Sequence, residues 1–530
     1  MTRTAALSPS SRALIAALSA ALTASCAVGP NFHRPTPPTA SGYSPAPMAE
    51  TTASAPGVAG GDQQRFVMGR DIPFAWWTQF GSPKLDALVA KALAANPTLP
   101  AAQAALRQTQ EQVAAQRGFF YPTITPDFNA ERQQLAGNLG GNSPGIQGNG
   151  STISTFQNPN GPSPFNGPVT YNFYTAQVGI SYAPDVFGAN RRQVESLQAQ
   201  ADLLRYQMEA TYITLASEVV AAALQEASLQ SQIEATDANI DDNQKALDIL
   251  REQFRQGYVM RIDVAAQESA LAQAKALLPP LQKQLEQTHD LIRALVGGLP
   301  SDDVDLTFDL DQLTLPQALP VSLPAKLIDQ RPDVRAAEEQ MHSASAQVGV
   351  AIAARLPQFN ITAAYGGAAS EVSQLFSTGG PFWSLVGDTA VTAFDGGALR
   401  HRQRAAEQGL IQARAQYRST LITAFQNVAD TLHAIQSDAD AMVAASQAET
   451  AAKVTLDVTR SQYQQGYVNY QTLLSADAAY QQAVVTRVLA QTNRYGDAAA
   501  LFQALGGGWW NRDPAPQKTA QNDAAAPVAR

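Results

Sequence analysis

Two periodicities organise this chain. From Pro122 onward, Ile124, Phe128 and Ala130 alternate with Thr123, Thr125, Asp127, Asn129 and Glu131. Further on, Tyr174, Ala176, Val178, Ile180 and Tyr182 alternate with Thr175, Gln177, Gly179 and Ser181. A period of two sends successive side chains to opposite sides of the backbone, so each segment reads as a strand with one apolar and one polar face. The pattern returns after Pro357 with Phe359, Ile361, Ala363 and Tyr365, and a less regular strand is expected over residues 383–394. Elsewhere the period is helical. Leu85, Leu88, Val89, Ala92 and Leu93 follow the i, i+3, i+4, i+7, i+8 stripe of an amphipathic helix. A second helix is expected from near Pro97, and its counterpart from near Pro332, because proline suits a first helical turn.

A much longer helix is predicted from about residue 189 to residue 254, roughly 100 Å at 1.5 Å per residue. Its apolar or small positions fall at Val194, Leu197, Ala201, Leu204, Met208, Thr211 and Leu215, then at Leu229, Ile233, Thr236, Ile240, Asn243, Leu247, Leu250 and Phe254. Alternating steps of three and four are a coiled-coil period. The tetrapeptide Gln256-Gly257-Tyr258-Val259 follows, its glycine suited to a reversal after a helix. A second long helix then returns.

The whole pattern occurs twice. At a constant offset of 209, Arg251-x-Gln-x-x-Gln-Gly-Tyr-Val matches Arg460-x-Gln-x-x-Gln-Gly-Tyr-Val, so Gln465-Gly466-Tyr467-Val468 repeats the turn. The same offset pairs Gly188 with Gly397 and Gly297-Gly298 with Gly506-Gly507. Upstream the offset is 235, pairing Pro97 with Pro332 and Pro122 with Pro357, which places a 26-residue insertion in the first copy. It falls in the Gly/Asn-rich stretch 136–168, read as an enlarged surface loop. Repeat 1 is taken as residues 76–300, a linker as 301–324 and repeat 2 as 325–510. Pro279-Pro280 has Val488-Leu489 as its counterpart and predicts a break or kink in the first returning helix.

The ends of the chain add export. Arg3 and Arg12 precede an apolar run over residues 13–24, too short to span a bilayer, so residues 1–25 read as a signal peptide. Cys26 is the single cysteine, and no internal disulfide is possible. Leu-Thr-Ala-Ser-Cys resembles a bacterial lipobox, which implies that the Cys26 thiol is acylated; Ala27 after it implies sorting to the outer membrane. Residues 26–75 read as an extended lipidated arm and 511–530 as a disordered tail. Charged residues make up 15% of the chain, with net charge −9 and no basic block, which excludes nucleic acid as a partner.

Each copy supplies two candidate membrane strands, four in all. An open sheet edge in lipid leaves backbone groups unpaired, and even small barrels need about eight strands. Several chains must share one barrel, with apolar side chains facing lipid and polar ones facing a watery lumen. The fold class is therefore mixed α and β: duplicated long helical hairpins plus four membrane strands per chain. The geometry is that of a conduit.

Cys-Ala-Val-Gly-Pro-Asn-Phe-His-Arg-Pro after the signal segment, the paired Pro-bounded strands, the twin hairpins and the final Leu-Gly-Gly-Gly-Trp-Trp together resemble a TolC-like outer membrane factor. The lipoprotein (OprM/NodT-type) branch of tripartite efflux systems is the most similar. The resemblance implies a homotrimer with a 12-stranded β-barrel and a long α-barrel crossing the periplasm. It also implies an outer membrane location, a periplasmic adaptor, and an inner-membrane pump of the RND type or another. The chain itself would need no cofactor and no metal, and would not be an enzyme. The two Gln-Gly-Tyr-Val turns would be the periplasmic tips that meet the adaptor. Family gate positions correspond to Asp263 and Tyr463, and positions where relatives carry aperture aspartates are Thr472 and Ser475. Asp263 has a second reading as a cap on the returning helix.

Other motifs fail on context. Gly141-x-Ser143-x-Gly145 fits a hydrolase elbow in letters but lacks the strand-to-helix setting. His33, His289, His342, His401 and His433 show no metal-ligand spacing. Asp302, Asp303, Asp305, Asp309 and Asp311 lack the glycine and glutamate of a calcium loop and read as a solvated linker. Seven scattered methionines form no thioether cluster. Trp76-Trp77 and Trp509-Trp510 read as packing anchors. A lipidated periplasmic coiled-coil adaptor or scaffold is the alternative from another class, and it would need neither the alternating strands nor the Gly/Asn loop.

Overall fold

The computed structural model describes residues 27–39, 42–45, 48–135, 169–377 and 379–512. The signal segment, Cys26, the loop 136–168 with its Gly-x-Ser-x-Gly pattern, and residues 513–530 lie outside the described residues. The order of elements is β1 (Arg65–Met68), α1 (Pro83–Ala95), α2 (Thr98–Gly118), β2 (Thr123–Leu135), β3 (Val169–Tyr182), α3 (Ala189–Arg255) and α4 (Arg261–Leu295). Then come β4 (Ala318–Val321), α5 (Pro324–Gln330), α6 (Pro332–Ala353), β5 (Gln358–Ala369), β6 (Pro381–Ala390), α7 (Ala398–Gln464) and α8 (Tyr470–Ala504). The duplication is carried into three dimensions. Helices α3 and α7 are each 67 residues long, and α4 and α8 each 35.

The described residues fall into two compact units. One is drawn from Met1–Arg34, Arg107–Asp202 and Glu339–Ala415. It contains a four-stranded antiparallel sheet in the order β2-β3-β5-β6. A small helical core lies in the same unit, where Met341 and Val348 of α6 pack with Leu410 and Ala413 of α7 and with Phe32.

The other unit is drawn from Pro35–Leu106, Leu203–Glu338 and Gln416–Arg530. Its main core joins α1, the middle of α3 and the end of α8. Leu85, Leu88, Val89 and Ala92 point inward, as their spacing predicts. Ser82 caps that helix by accepting from the Leu85 amide, and Pro83 occupies its first turn. Trp76 stacks on Phe502 at 5.3 Å and meets Trp77 edge-on at 5.9 Å, so the first tryptophan pair is a packing anchor. Trp509 donates its indole N–H to the Gln330 carbonyl.

Three expectations change. The linker 301–324 is not solvated throughout: its acidic residues are outermost, but Leu306, Phe308, Leu310, Leu313, Leu315, Leu319 and Val321 are buried in the main core. The acidic residues themselves serve local ends, Asp305 pairing with Lys84 and Asp309 capping the Asp311 amide. Second, the arm 26–75 contributes a strand, since β1 pairs in parallel with β4 of the linker. Third, α4 runs unbroken through Pro279-Pro280. Both prolines are exposed, as are Lys275 and Ala276 four residues earlier. The carbonyls that lose their N–H partners therefore face water, which removes the main penalty of an interior proline.

The buried polar groups of this unit fix the arm by hydrogen bonds. The guanidinium of Arg494 on α8, fully buried, donates to the carbonyls of Gly60 and Asp62 and to the Gln64 side chain. Near it, Asp497 of α8 lies beside Asp438 of α7. Burial first, then the Asp438 charge and a hydrogen bond with it, push the Asp497 carboxyl up to about 7, against the pull of Arg494. A folded value above the ordinary carboxyl value means a contribution that is full below that ordinary value and is lost as pH rises through about 7. Asp497→Asn is expected to raise the thermal unfolding midpoint relative to the parent by more at pH 8 than at pH 5, read by intrinsic fluorescence in detergent. An equal difference at both pH values contradicts the shared proton.

Candidate functional site

The sheet registers turn four separate alternations into two continuous faces. Ile124 lies opposite Ile180, Phe128 opposite Ala176, Val178 opposite Tyr365, Ile180 opposite Ala363, Ala363 opposite Leu385 and Tyr365 opposite Trp383. All the apolar members share one face, because paired residues in a sheet point the same way. Ile124, Phe128, Tyr365, Trp383 and Leu385 are exposed on it, Trp383 by 76%. The other face carries Thr125, Asp127, Asn129, Glu131, Thr175, Gln177, Asn360, Thr362, Ser384 and Asp388, with Phe173, Phe382 and Val386 among its apolar exceptions and Leu135 opposite Val169 at one end. Strands of 13, 14, 12 and 10 residues are long enough to cross a bilayer, which takes about 9–11 when tilted. A water-soluble protein buries such an apolar face; among the described residues nothing covers it. Among the described residues, β2 and β6 have a strand on one side only.

The hairpin turns form the second feature. At the first, Gly257 sits at φ +80°, its N–H donates to the Phe254 carbonyl at 3.0 Å, and the Tyr258 N–H reaches back to Gln253 at 2.8 Å. At the second, Gly466 sits at φ +78°, with Gly466 to Tyr463 at 3.0 Å and Tyr467 to Gln462 at 2.9 Å. Both are Schellman motifs, which need a left-handed residue after the helix and so select glycine. The turn leaves Tyr258 and Tyr467 each 77% exposed. Gln256 and Gln465 directly follow the last helical residues, Arg255 and Gln464, and Val259 and Val468 are half-buried. Val259 packs on a small cluster with Leu247, Leu250, Val264, Leu271, Tyr463 and Tyr470.

The four gate candidates have different settings. Asp263 Oδ2 accepts from the Met260 amide at 3.1 Å, so it caps the returning helix. Burial, and then the nearby Asp263 charge, raise the pKa of the half-buried Tyr463 hydroxyl. Tyr463 packs on the cluster that holds Val264, the residue after Asp263. Thr472 is exposed, and its amide and hydroxyl both donate to Asn469 Oδ1, at 2.9 and 2.8 Å. Ser475 is exposed and bonds back to the Gln471 carbonyl.

Sequence reasoning missed the polar centre of this cluster. Gln267 of α4, 1% exposed, donates to the Asn243 side chain of α3 at 2.9 Å and to its carbonyl at 2.7 Å. The Tyr470 hydroxyl of α8 donates to Gln267 Oε1 at 2.6 Å. Three helices are tied by one amide. A groove of about 580 Å³ runs beside it, lined by Asn239, Asn243, Ser475 and Asp477 among others. Burial, offset by Arg460, raises the Asp477 carboxyl above its usual range. The one available signal was Asn243, a polar residue at a seam position of the coiled-coil period. Among the described residues, no group of acidic, histidine or cysteine side chains is arranged to hold a metal ion.

Residues 88–298 and 323–507 match the family described as outer membrane efflux protein. The pyoverdine export outer membrane protein OpmQ of Pseudomonas putida is 27% identical over 481 residues, covering 91% of this chain and 95% of the relative. The toluene efflux pump outer membrane protein TtgF of Pseudomonas putida is 28% identical over 522 residues, covering 96% and 98%. Among solved structures, the outer-membrane channel OprN superposes with a TM-score of 0.78 at 26% identity, covering 91% of this chain and all of that one. The open-state MtrE outer membrane channel of Neisseria gonorrhoeae shares the fold, with a TM-score of 0.73 at 23% identity over 91% of this chain and 99% of MtrE.

Replacing Gly257 or Gly466 by alanine is expected to cost about 1 kcal/mol of local stability each, since a Cβ disfavours the left-handed conformation. Hydrogen exchange at the turn amides reads this directly. Gln267→Leu leaves the buried Tyr470 hydroxyl without a partner and is expected to cost about 1–3 kcal/mol. Adding Tyr470→Phe removes the orphan, so the double variant should be more stable than Gln267→Leu alone; additive losses would show that the hydroxyl finds water instead.

Proposed function

The chain belongs to the outer membrane efflux protein family and is an outer membrane efflux channel; from that premise we propose that three copies join their sheets into one 12-stranded barrel, three times the four strands of a single chain. The observation that carries this reading is the bare apolar face combined with unpaired edges on β2 and β6. Lipid covers the face, and neighbouring copies pair the edges. The opposite, polar face lines the lumen. The alternative of a poreless adaptor leaves the apolar face without a function.

The duct is passive and catalyses nothing. Cargo reaches it from an inner-membrane pump through a periplasmic adaptor, whose contact surface is the pair of turns with exposed Tyr258 and Tyr467. Selection by the pump explains how relatives named for pyoverdine and for toluene share one frame with this chain. Residues 76–300 and 325–510 act as two equivalent repeats, and Cys26 carries acyl chains that anchor the arm on the periplasmic side. Asp263 and Tyr463 hold the hairpins in the closed aperture. Thr472 and Ser475 stand where relatives carry aperture aspartates, so the cation preference of an acidic constriction is not carried over to this chain.

Purified in detergent, the protein should run as a heat-labile trimer and give steps of defined conductance in planar bilayers. A monomeric, water-soluble and non-conducting species overturns the reading. Leu385→Lys, on the apolar face at mid-strand, should destabilise the barrel by about 2–4 kcal/mol, whereas Val386→Lys on the lumen face should be tolerated. Asp263→Ala should raise closed-state conductance and antibiotic entry; unchanged conductance with a frayed α4 start leaves Asp263 as a helix cap alone.

A further inference from the structure

The residues directly after Cys26 are held by a built site, although nothing in their own sequence has a periodic pattern. Arg192, in the first turn of α3, is 4% exposed. Its guanidinium donates from Nε to the Val28 carbonyl at 3.0 Å and from Nη2 to the Gly29 carbonyl at 3.4 Å and to Asn31 Oδ1 at 2.7 Å. The remaining Nη1 donates to Glu195 at 2.7 Å. The Val28 amide in turn donates to the Phe187 carbonyl at 3.1 Å. One planar fork therefore reads two main-chain carbonyls and a side-chain amide, a geometry that a point charge cannot reproduce.

Glycines make the approach possible. Gly29 is at φ +94°, and a Cβ there would lie 2.4 Å from Gly349 Cα of α6. A Cβ on Gly349 would lie 2.8 Å from Arg192 Cγ and 2.9 Å from the Val28 carbonyl oxygen. A Cβ on Gly188 would lie 2.7 Å from Ala27 Cα. Beyond the fork, Phe32 stacks on His342 at 4.3 Å and 18°. His342 bridges Glu195 at 3.1 Å and Glu339 at 3.2 Å. The site holds main-chain carbonyls together with the Asn31 amide and the Phe32 ring, which is the way a protein binds a fixed peptide ligand.

We propose that Arg192, with Gly188 and Gly349, forms a seat for the segment that follows the acylated cysteine, so that the acyl group is delivered at the corner joining β3 to α3 instead of on a slack tether. The inference rests on the reading that Cys26 carries lipid. It adds a purpose to the close packing of residue 27: the held segment and the apolar face of the sheet belong to one compact unit, so an acyl group attached just before that segment would enter the bilayer in a fixed relation to the face. Arg192 is a positioning residue, acting on the lipid through the main chain of residues 28–31.

The test uses the full-length protein with a thiol spin label at the exposed residue 33. In the parent chain an acylated Cys26 takes no label, and His33→Cys then takes one. The label should be immobilised in the otherwise unchanged protein. With Arg192→Ala it should become several-fold more mobile, and Arg192→Lys should restore only part of the order. Gly349→Ala should act like Arg192→Ala, and Arg404→Ala, at an exposed site, should not change the spectrum. Heat-lability of the trimer monitors whether any variant simply fails to fold. Unchanged mobility in Arg192→Ala overturns the seat. One label on the parent chain removes the lipid reading alone; the mobility comparison is then made on Cys26→Ser, and a loss of order there still supports the seat.

Discussion

A backbone N–H or C=O in hydrocarbon has no water to fall back on, and an unpaired one costs several kcal/mol. That single constraint decides what the sheet of this protein can be. Inside the sheet the strands are paired over long registers, thirteen residue pairs between β2 and β3, nine between β3 and β5 and ten between β5 and β6. Among the described residues, β2 and β6 have no further strand to pair with. In the trimer proposed above, these edges are where the next copy begins. The interlocking of apolar positions across the registers follows from the same constraint, because a shift of one residue in any strand would turn its apolar set toward the lumen.

Much of this architecture was legible in the amino-acid order. Period-two segments at residues 123–131, 174–182 and 359–365 became strands because one face meets lipid and the other water, the condition under which alternation is cleanest. The repeated Gln-Gly-Tyr-Val was readable because a left-handed position admits few residues besides glycine. In α3 the seam reading holds at Leu229, Ile233, Thr236, Asn243, Leu247 and Leu250, all buried. It drifts near the start, where Ala201 is buried as read but Arg192, Ser196, Ala199, Tyr206, Glu209 and Ile213 are buried off the seam, and between Leu215 and Leu229 nearly every face is covered. A helix surrounded by neighbours has no preferred stripe to read.

The features that escaped are those held by hydrogen bonds between distant residues. Nothing local predicts that Arg494 will collect the carbonyls of Gly60 and Asp62, or that β1 will find β4 some 250 residues later. The Gln267–Tyr470 bond is of the same kind, joining two helices whose sequences show no reciprocal pattern. The arm read as merely extended and the linker as solvated because they lack a period, yet a period is required only of regular elements; irregular chain is fixed one carbonyl at a time. Pro279-Pro280 misled for a related reason. Proline was weighed by the bonds it removes, whereas the outcome turned on whether the abandoned carbonyls faced solvent.

The matching helix lengths, 67 and 35 residues in each copy, carry an evolutionary consequence. Sequence has drifted widely between the copies, but a one-turn deletion in either hairpin alone would stagger its turn against the other by about 5.4 Å. Substitutions are free to accumulate independently; insertions and deletions are not, and must arise as matched pairs or be lost. The two halves of the gene are thus yoked in length while remaining at liberty in composition.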